Sequence, residues 1–177
     1  MNADARRVRF ERIAPAVIDA VRRFLARRTD PATADDVLSE TLLICWRRLD
    51  EMPAEHLPWA YGVARLCLAN AERARRRQAR LAARIAVFDP PPAVVDGPAP
   101  ADDDLTAALA GLRAEDAELL RLWAWEDLAP AQIAVVLGVT ANAASIRLHR
   151  ARQRLRDELR KAGDAAGHEE SNEGRRS

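Results

Sequence analysis

Residues 126–161 read EDLAPAQIAVVLGVTANAASIRLHRARQRLRDELRK, and the positions of their helix-starting and helix-ending residues predict two helices joined by a tight turn. Pro130 suits the first turn of a helix, where its missing N–H costs nothing, although Ala129 offers no side-chain cap. Gly138 can take the left-handed conformation that ends this short helix, and Thr140 can cap the longer helix that follows. The stretch is therefore predicted to be a helix-turn-helix.

Apolar residues recur in both helices of this motif at helical spacing, which predicts that each helix buries one face. Ala134 is small enough to allow close approach of the two helices. The residues expected to pack inward are Ile133, Ala134, Leu137, Val139, Ile146 and Leu148.

The second helix of the motif is rich in polar and cationic side chains around its apolar stripe. Such a surface is a dense set of hydrogen-bond donors, as a helix that enters the DNA major groove needs. Arginine paired with guanine is the commonest specific contact of this kind. We therefore predict DNA binding, with the donors Asn142, Ser145, Arg147, His149, Arg150, Arg152, Arg154 and Arg156.

Net charge by itself indicates no partner, because 28 basic residues nearly balance 27 acidic ones and leave +1. The charges are segregated, however. Residues 65–84 carry 7 basic and 1 acidic residue and 141–161 carry 7 and 2, whereas 30–55 carry 2 and 7. Blocks of alternating sign favour binding to nucleic acid and to protein surfaces.

The composition favours an all-α protein, since 49% of the residues are hydrophobic and only 7 are glycine. Two small helical domains fit the length. The proline-rich stretch 87–104, VFDPPPAVVDGPAPADDD, is predicted to be a linker between a first domain, 1–86, and a second, 105–162. The polar stretch 163–177 is predicted to be a disordered tail.

The first domain should contain three helices. Ile13, Val17, Val21, Phe24 and Leu25 recur at helical spacing in the first. The second should begin at a Thr33 cap and run to about Leu49, with Leu38, Leu42, Cys45 and Leu49 facing the core, Trp46 beside them, and Asp35, Asp36, Glu40 and Arg47 pointing outward.

A third helix should begin at Trp59, after a loop over 50–58 that holds two prolines. We expect Val63, Leu66, Cys67 and Asn70 to trace one of its faces. Its second half, ERARRRQARLAARIA, is arginine-rich and should track phosphates, with the aromatic residues at its start offered to bases.

Other classes of protein find little support. Cys45 and Cys67 lie in apolar runs without a CxxC spacing, so we expect buried thiols in a reducing cytoplasm and no metal or cofactor. The three histidines, His56, His149 and His168, are scattered, and no P-loop or nucleophile elbow accompanies them, so no enzyme is expected. Neither a signal peptide nor a membrane-spanning apolar run is evident.

Together these segments resemble the extracytoplasmic-function (ECF) sigma factors of the sigma-70 family. TDPATADDVLSETLLICWRRLDE, residues 29–51, is similar to the helix by which that family grips the polymerase clamp. LPWAYGVARLCLANAERARRR, residues 57–77, is similar to the segment that melts and reads the minus-ten element. LAGLRAEDAELLRLWAWEDLAPAQIAVVLGVTANAASIRLHRARQRLRDEL, residues 109–159, is similar to the minus-thirty-five reader.

The resemblance implies a sigma-2-like bundle and a sigma-4-like helix-turn-helix domain, with core RNA polymerase and promoter DNA as partners and an anti-sigma factor as a further possible regulator. It also implies that loop 50–58 forms a pocket for a flipped base. By the same resemblance, the polymerase-binding residues are Asp35, Asp36, Glu40 and Arg47; the minus-ten residues are His56, Trp59, Arg65, Asn70, Arg73 and Arg76; and the minus-thirty-five residues are Thr140, Asn142, Ser145, Arg147, His149, Arg150 and Arg152.

One alternative stays open at this point, a stand-alone helix-turn-helix regulator that binds an operator as a dimer through its first domain. Helix-turn-helix proteins commonly dimerise, which favours it. The segment 30–84 distinguishes the two hypotheses, because a dimerisation module has no need of an arginine-rich helix preceded by a tryptophan-bearing loop.

Overall fold

The computed structural model describes residues 3–85 and 108–173, with the side chains of 3–82 and 108–161. Every regular element in these ranges is helical, which confirms the all-α prediction. The chain divides into two compact units, the first around α1 to α3 and the second around α4 and α6. The predicted linker, 87–104, lies outside the described residues. The α-helices are α1 (Ala3–Ala26), α2 (Pro31–Arg47), α3 (His56–Ile85), α4 (Ala114–Ala124), α5 (Pro130–Leu137) and α6 (Ala141–Glu173).

The first unit is a three-helix bundle in which α1, α2 and α3 each pack on the other two. The rings of Phe24 and Tyr61 lie 5.3 Å apart between centroids and join α1 to α3. Thr41 is also fully buried, and its hydroxyl donates to the Val37 carbonyl at 2.7 Å, so no polar group is left unsatisfied there. The fully buried apolar side chains of the unit are Val21, Phe24, Leu25, Cys45, Leu49, Ala60 and Ala64.

The start of α2 differs from the prediction. Asp30, not Thr33, is the N-cap, and its carboxylate accepts from the backbone N–H of Thr33 at 3.0 Å. Pro31 occupies the first turn of the helix. Asp30 is the cap because proline is pre-organised for the first helical position, so the cap falls on the residue immediately before Pro31.

The core face of α2 agrees with the prediction for Leu38, Cys45 and Leu49, which are buried, but Leu42 is only half-buried. Val37 and Thr41 complete this face instead. The predicted place of Trp46 beside the core is wrong in part, since 37% of its surface is exposed and its ring packs edge-on against Phe10 of α1.

Helix α3 begins at His56, three residues before the predicted start, and a 3-10 turn occupies Leu49–Glu51. The predicted loop 50–58 is therefore reduced to the residues between these elements. Proline is tolerated in the first turn of a helix, so Pro58 does not delay the start.

The buried face of α3 also differs from the predicted one. Val63 and Cys67 are buried as expected, but Leu66 is 58% exposed and Asn70 is exposed beside it. The face that packs on α1 and α2 is completed by Ala60, Tyr61, Ala64 and Leu68.

In the second unit α4 packs against α6. Residues 108–110 are helical and are separated from α4 by the break predicted near Gly111. After α4, Asp127 takes a left-handed φ of 51°, and the Leu128 N–H bonds the Leu122 carbonyl at 3.2 Å. This tight turn directs the chain into α5. The buried apolar residues include Ala117, Leu119, Leu120, Leu122, Ile133, Ala144, Leu148 and Ala151.

Two features of α6 differ from the predictions. Ile146, expected in the core, is 45% exposed, because the helix buries Ala144, Leu148 and Ala151 on the opposite side. The helix also continues to Glu173, into the stretch 163–177 that was predicted to be disordered. Extending an existing helix adds one hydrogen bond per residue without a new nucleus, which favours its continuation beyond Lys161.

Candidate functional site

The turn between α5 and α6 has the predicted geometry. Gly138 adopts a φ of 66°, the left-handed conformation, and the Val139 N–H bonds the Ala134 carbonyl at 3.0 Å, closing α5. The Thr140 hydroxyl accepts from the N–H of Ala143 at 3.2 Å and so caps α6. The two helices meet at 105°, as in a helix-turn-helix.

The start of α5 has a cap that the sequence analysis missed. The Ala129 N–H donates to the side-chain oxygen of Gln132 at 3.0 Å. A glutamine at the third helical position can bond back to the cap residue in this way even when the cap residue is an alanine. The signal was present as the spacing of Gln132 from Ala129.

The exposed face of α6 carries six of the seven residues that the sequence analysis assigned to minus-thirty-five DNA, and the seventh, Thr140, is the cap that precedes the helix. At 100° per residue, Asn142, His149 and Arg150 lie opposite the buried stripe, and Ser145 and Arg147 flank them on either side. Ile146 lies at the centre of this face, between Asn142 and Arg150 at four-residue spacing. We call these residues, 142–150 on the exposed side of α6, the reading face.

Arg152 and Arg154 differ from the other predicted DNA-facing arginines because α4 holds both. The guanidinium of Arg152 lies 4.5 Å from the centroid of the Trp123 ring. The guanidinium of Arg154 forms an ion pair with Asp116, whose side chain is only 11% exposed. Within the part of the chain that the structure describes, Arg147 and Arg150 make no such pair.

The exposed face of α3 brings together three of the residues assigned to minus-ten DNA. Asn70 and Arg73 are hydrogen-bonded, with the guanidinium donating to the amide oxygen at 2.6 Å, and the Arg73 Nε donates to the Ala69 carbonyl at 3.1 Å. Leu66 lies on the same side, four residues before Asn70. Arg76 lies one turn further on, 3.8 Å from Glu72, whereas Arg65 is half-buried.

The segment that leads into α3 is held by cation contacts. Arg48 donates to Glu51 at 2.9 Å and lies 5.6 Å from the ring centroid of Trp59, which is half-buried. His56 is half-buried at the start of the helix, with its Nδ1 3.2 Å from the Ala54 carbonyl. His56 and Trp59 therefore lie within one turn of each other beside a cationic side chain.

Two arginines of α1 also bind the segment that leads into α3. Arg6 forms an ion pair with Asp50 and donates to the Trp46 carbonyl at 2.9 Å. Arg9 donates to the Met52 carbonyl at 2.8 Å. Sequence reasoning missed both arginines, because nothing in their spacing indicates a partner forty or more residues away.

The acidic surface of α2 is exposed as predicted. Asp36, Glu40 and Arg47 lie along one stripe of the helix, and Asp35 lies beside it. Leu43 completes the stripe and is 46% exposed, which places an apolar side chain among the charges. The stripe is suited to a protein partner with an apolar centre and charged surroundings.

The two cysteines are buried thiols. Burial raises the pKa of Cys45 to about 11, and burial followed by the nearby charge of Glu40 raises the pKa of Cys67. Among the described residues no group of three or more histidine, cysteine, aspartate and glutamate side chains could hold a metal ion. In the same ranges no single helix is long and apolar enough to cross a membrane. Taken together, α5 and residues 141–161 have the length and composition of a membrane span, but the pair is bent by 105°.

Comparison with known proteins agrees with the geometry. Residues 102–155, which include α4, α5 and the first half of α6, match the family model described as Sigma-70, region 4. The probable RNA polymerase sigma factor RfaY of Xanthomonas campestris pv. campestris is 30% identical over 145 residues, which cover 76% of this chain and 36% of that protein. The chain thus spans about a third of the length of this curated relative.

Two solved structures are similar in fold. The sigma factor RpoE in complex with the anti-sigma factor NepR from Bartonella quintana has a TM-score of 0.61 at 22% identity, over 85% of this chain and 96% of that one. CnrH in complex with the cytosolic domain of CnrY has a TM-score of 0.54 at 22% identity, over 90% of each chain.

A helix-turn-helix lies in the matched region and is preceded by a three-helix bundle, so the described residues form a helical protein of two units. Residues 102–155 thus carry a sigma-70 region 4 domain, and the chain is similar over 145 residues to an RNA polymerase sigma factor. This confirms the resemblance on which the sequence analysis relied.

Proposed function

We propose that the chain is an ECF sigma factor that binds core RNA polymerase in the cytoplasm and directs promoter recognition, DNA melting and transcription initiation. The observation that carries this proposal is the reading face of α6, which follows directly from the Thr140 cap and lies in the region matched to sigma-70 region 4. No covalent chemistry is needed for this function.

The reading face would enter the major groove of the minus-thirty-five element. Its polar side chains are exposed, its first turn has a capped N-terminus, and a helix of this kind reads base edges from its N-terminal residues. Asn142, Ser145, His149 and Arg150 are the proposed base contacts, and Arg147 is a proposed phosphate contact. Ile146 adds an apolar contact suited to the methyl group of thymine.

The exposed face of α3 would hold the single strand of the minus-ten element. The bond between Asn70 and Arg73 fixes both side chains before DNA arrives, which lowers the entropy cost of binding. Capture of one flipped base offsets an unstacking cost of a few kcal/mol. The short segment before α3, together with His56 and Trp59 of the first turn of α3, is the proposed pocket, and Arg65 and Arg76 are the proposed phosphate contacts.

The exposed stripe of α2 would bind core polymerase. It carries the predicted residues Asp36, Glu40 and Arg47, with Asp35 beside them and Leu43 as an apolar centre. Interfaces of this kind draw specificity from their charges and much of their affinity from a desolvated centre. An anti-sigma protein is a further proposed partner, since the similar RpoE structure contains one.

Transcription from a defined template tests the proposal. The purified chain is added to core RNA polymerase and a promoter library, and run-off transcripts are sequenced. We expect transcripts that depend on the chain and share two upstream sequence elements. Absence of both core binding and transcripts would overturn the proposal, and tight, specific binding to duplex DNA without polymerase would favour the stand-alone regulator instead.

Matched variants assign the surfaces. Glu40→Lys should weaken core binding, whereas Asp19→Lys, an equally charge-reversing change on an exposed position of α1, should not. Arg150→Ala should cost about 1–3 kcal/mol in promoter binding and relax sequence choice at one position if it reads a base. Arg160→Ala, on the same helix but already paired with Asp157, is its control.

A further inference from the structure

The contacts of Arg152 and Arg154 with α4 have a geometry that constrains α6. Two residues apart on a helix, these arginines point to opposite sides of α6, about 200° apart, and sit within about 3 Å of each other along its axis. Their partners Asp116 and Trp123 lie at opposite ends of α4, separated by about 10 Å along that helix. At one level along α6, Arg154 therefore contacts the beginning of α4 and Arg152 contacts its end.

A pair of contacts arranged in this way opposes rotation of α6 about its own axis. Turning the helix in either direction shortens the reach to one partner and lengthens it to the other. The side of α6 that lies between the two arginines around the helix axis buries Ala144, Leu148 and Ala151, two of which are alanines. Such small side chains offer little steric resistance to rotation, since they leave shallow ridges and grooves.

The burial of Asp116 makes its contact selective. The residue is 8% exposed and lies in the first turn of α4, so its carboxylate has little access to water and needs a partner. The Arg154 guanidinium supplies that partner from α6. The contact is thus between a fixed, buried acceptor and a long cationic side chain, in contrast to the exposed pairs within α6 such as Arg160 with Asp157.

We propose that Asp116 and Trp123 are positioning residues, which hold α6 through Arg154 and Arg152 and set which of its side chains meet the promoter. This inference rests on the proposed function. It reassigns Arg152 from a DNA contact to an intramolecular one. Arg147, Arg150 and Arg156, which form no ion pair within the described residues, remain available to phosphate and base.

The salt dependence of promoter binding separates positioning from phosphate contact. Each phosphate contact adds about 0.9 to the slope of log affinity against log salt concentration. Holoenzyme reconstituted with Arg154→Gln or Asp116→Asn should bind a promoter fragment about tenfold more weakly with an unchanged slope, and the double variant should be no weaker than either single one. A residue that contacts phosphate, tested as Arg147→Gln, should lower the slope by about 1.

The two tryptophans give a matched control. Trp123 and Trp125 are both 39% exposed, but the guanidinium that lies 5.7 Å from the Trp125 ring centroid belongs to Arg121, on α4 itself. Trp123→Leu should reduce promoter affinity and Trp125→Leu should not. If circular dichroism shows that Asp116→Asn unfolds the second unit, Arg154→Gln and Trp123→Leu still test the positioning role.

The outcomes are distinct. A slope lowered by about 1 in Arg154→Gln, or equal affinities of Trp123→Leu and wild type, would overturn the positioning role while leaving the proposed function intact. Failure of the wild-type holoenzyme to recognise any promoter would overturn the proposed function, and this inference with it.

Discussion

The hydroxyl oxygen of Thr140 accepts a hydrogen bond from the backbone N–H of Ala143 at 3.2 Å. This bond defines where α6 begins and places Asn142 in its first turn. The preceding residues reach the same point through the left-handed Gly138. The position of the reading face along the chain is therefore determined by two local features, a cap and a turn.

Removing the cap should destabilise the second unit. Thr140→Ala deletes the acceptor for the Ala143 N–H and should cost about 1 kcal/mol in the free energy of unfolding, measured by urea denaturation. Thr140→Ser keeps the hydroxyl and should cost only a small part of that. Equal stabilities of the alanine and serine variants would show that the hydroxyl does not cap α6 in solution.

The turn should not tolerate a side chain at Gly138. A Cβ there would meet nothing within 4 Å, so the penalty comes from the backbone alone, at a φ of 66°. Gly138→Ala should lower the free energy of unfolding by about 1–2 kcal/mol. Gly138→Asn should be milder, because asparagine visits this conformation more readily. A Gly138→Ala protein as stable as wild type would contradict the left-handed turn.

The register of α6 can be tested by two substitutions two residues apart. Leu148 is 5% exposed and Ile146 is 45% exposed. Leu148→Ala should therefore lower the free energy of unfolding by about 2–5 kcal/mol, and Ile146→Ala by much less. A larger loss of stability for Ile146→Ala than for Leu148→Ala would instead support the register in which Ile146 lies in the core. We also expect Ile146→Ala to lose preference for thymine in the promoter selection.

The cap of α2 predicts a pH effect. The hydrogen bond from the Thr33 N–H, followed by that from its hydroxyl, lowers the pKa of Asp30 below 3.8. A carboxyl with a lowered folded-state pKa stabilises the fold above the unfolded-state value, and this contribution is lost as pH falls through the folded-state value.

Asp30→Asn keeps a capping oxygen but does not titrate. The advantage of wild type over this variant, measured as the difference in their urea midpoints, should therefore shrink as the pH is lowered from neutrality to below 3.8. A difference that is constant over this range would rule out the pH dependence.

The buried thiols should be unreactive in the folded protein. Because its pKa is raised from 9.0 to about 11, Cys45 below pH 9.0 has about a hundredfold less thiolate than a cysteine of ordinary pKa, and burial shields the thiol further. Alkylation followed by mass spectrometry should label Cys45 only after urea is added. The protonated thiol also favours the folded state below pH 9.0, a contribution lost as the pH rises towards 11. Rapid labelling of Cys45 in the native protein would contradict its predicted low reactivity.

The helix-turn-helix was predictable residue by residue where the determinants are local. Pro130, Gly138 and Thr140 act through their own backbone angles or through a neighbour three residues away, so their pattern in the sequence predicts the turn. The exposure of the α2 carboxylates was equally predictable, since charged groups remain in water unless paired.

The faces of the helices were less predictable, and Leu66 and Ile146 show why. Both are apolar and both fit a helical stripe, yet both are exposed. Each helix has more than one stripe that could serve as the buried one, and alanines such as Ala144 and Ala151 carry too little hydrophobicity to mark the true one in a sequence. The choice depends on the surface that the neighbouring helix presents.

The sequence by itself determined the helical class, the capped turn before α6 and the supply of cationic and acidic side chains, because these depend on residue type and on neighbours within one helical turn. Only the tertiary structure decided which side chains those helices expose, and which arginines are already occupied. Asp116 and Arg154 are 38 residues apart in the chain, and no local rule pairs them. They meet because α4 and α6 pack together, and burial of the carboxylate then makes the arginine its necessary partner.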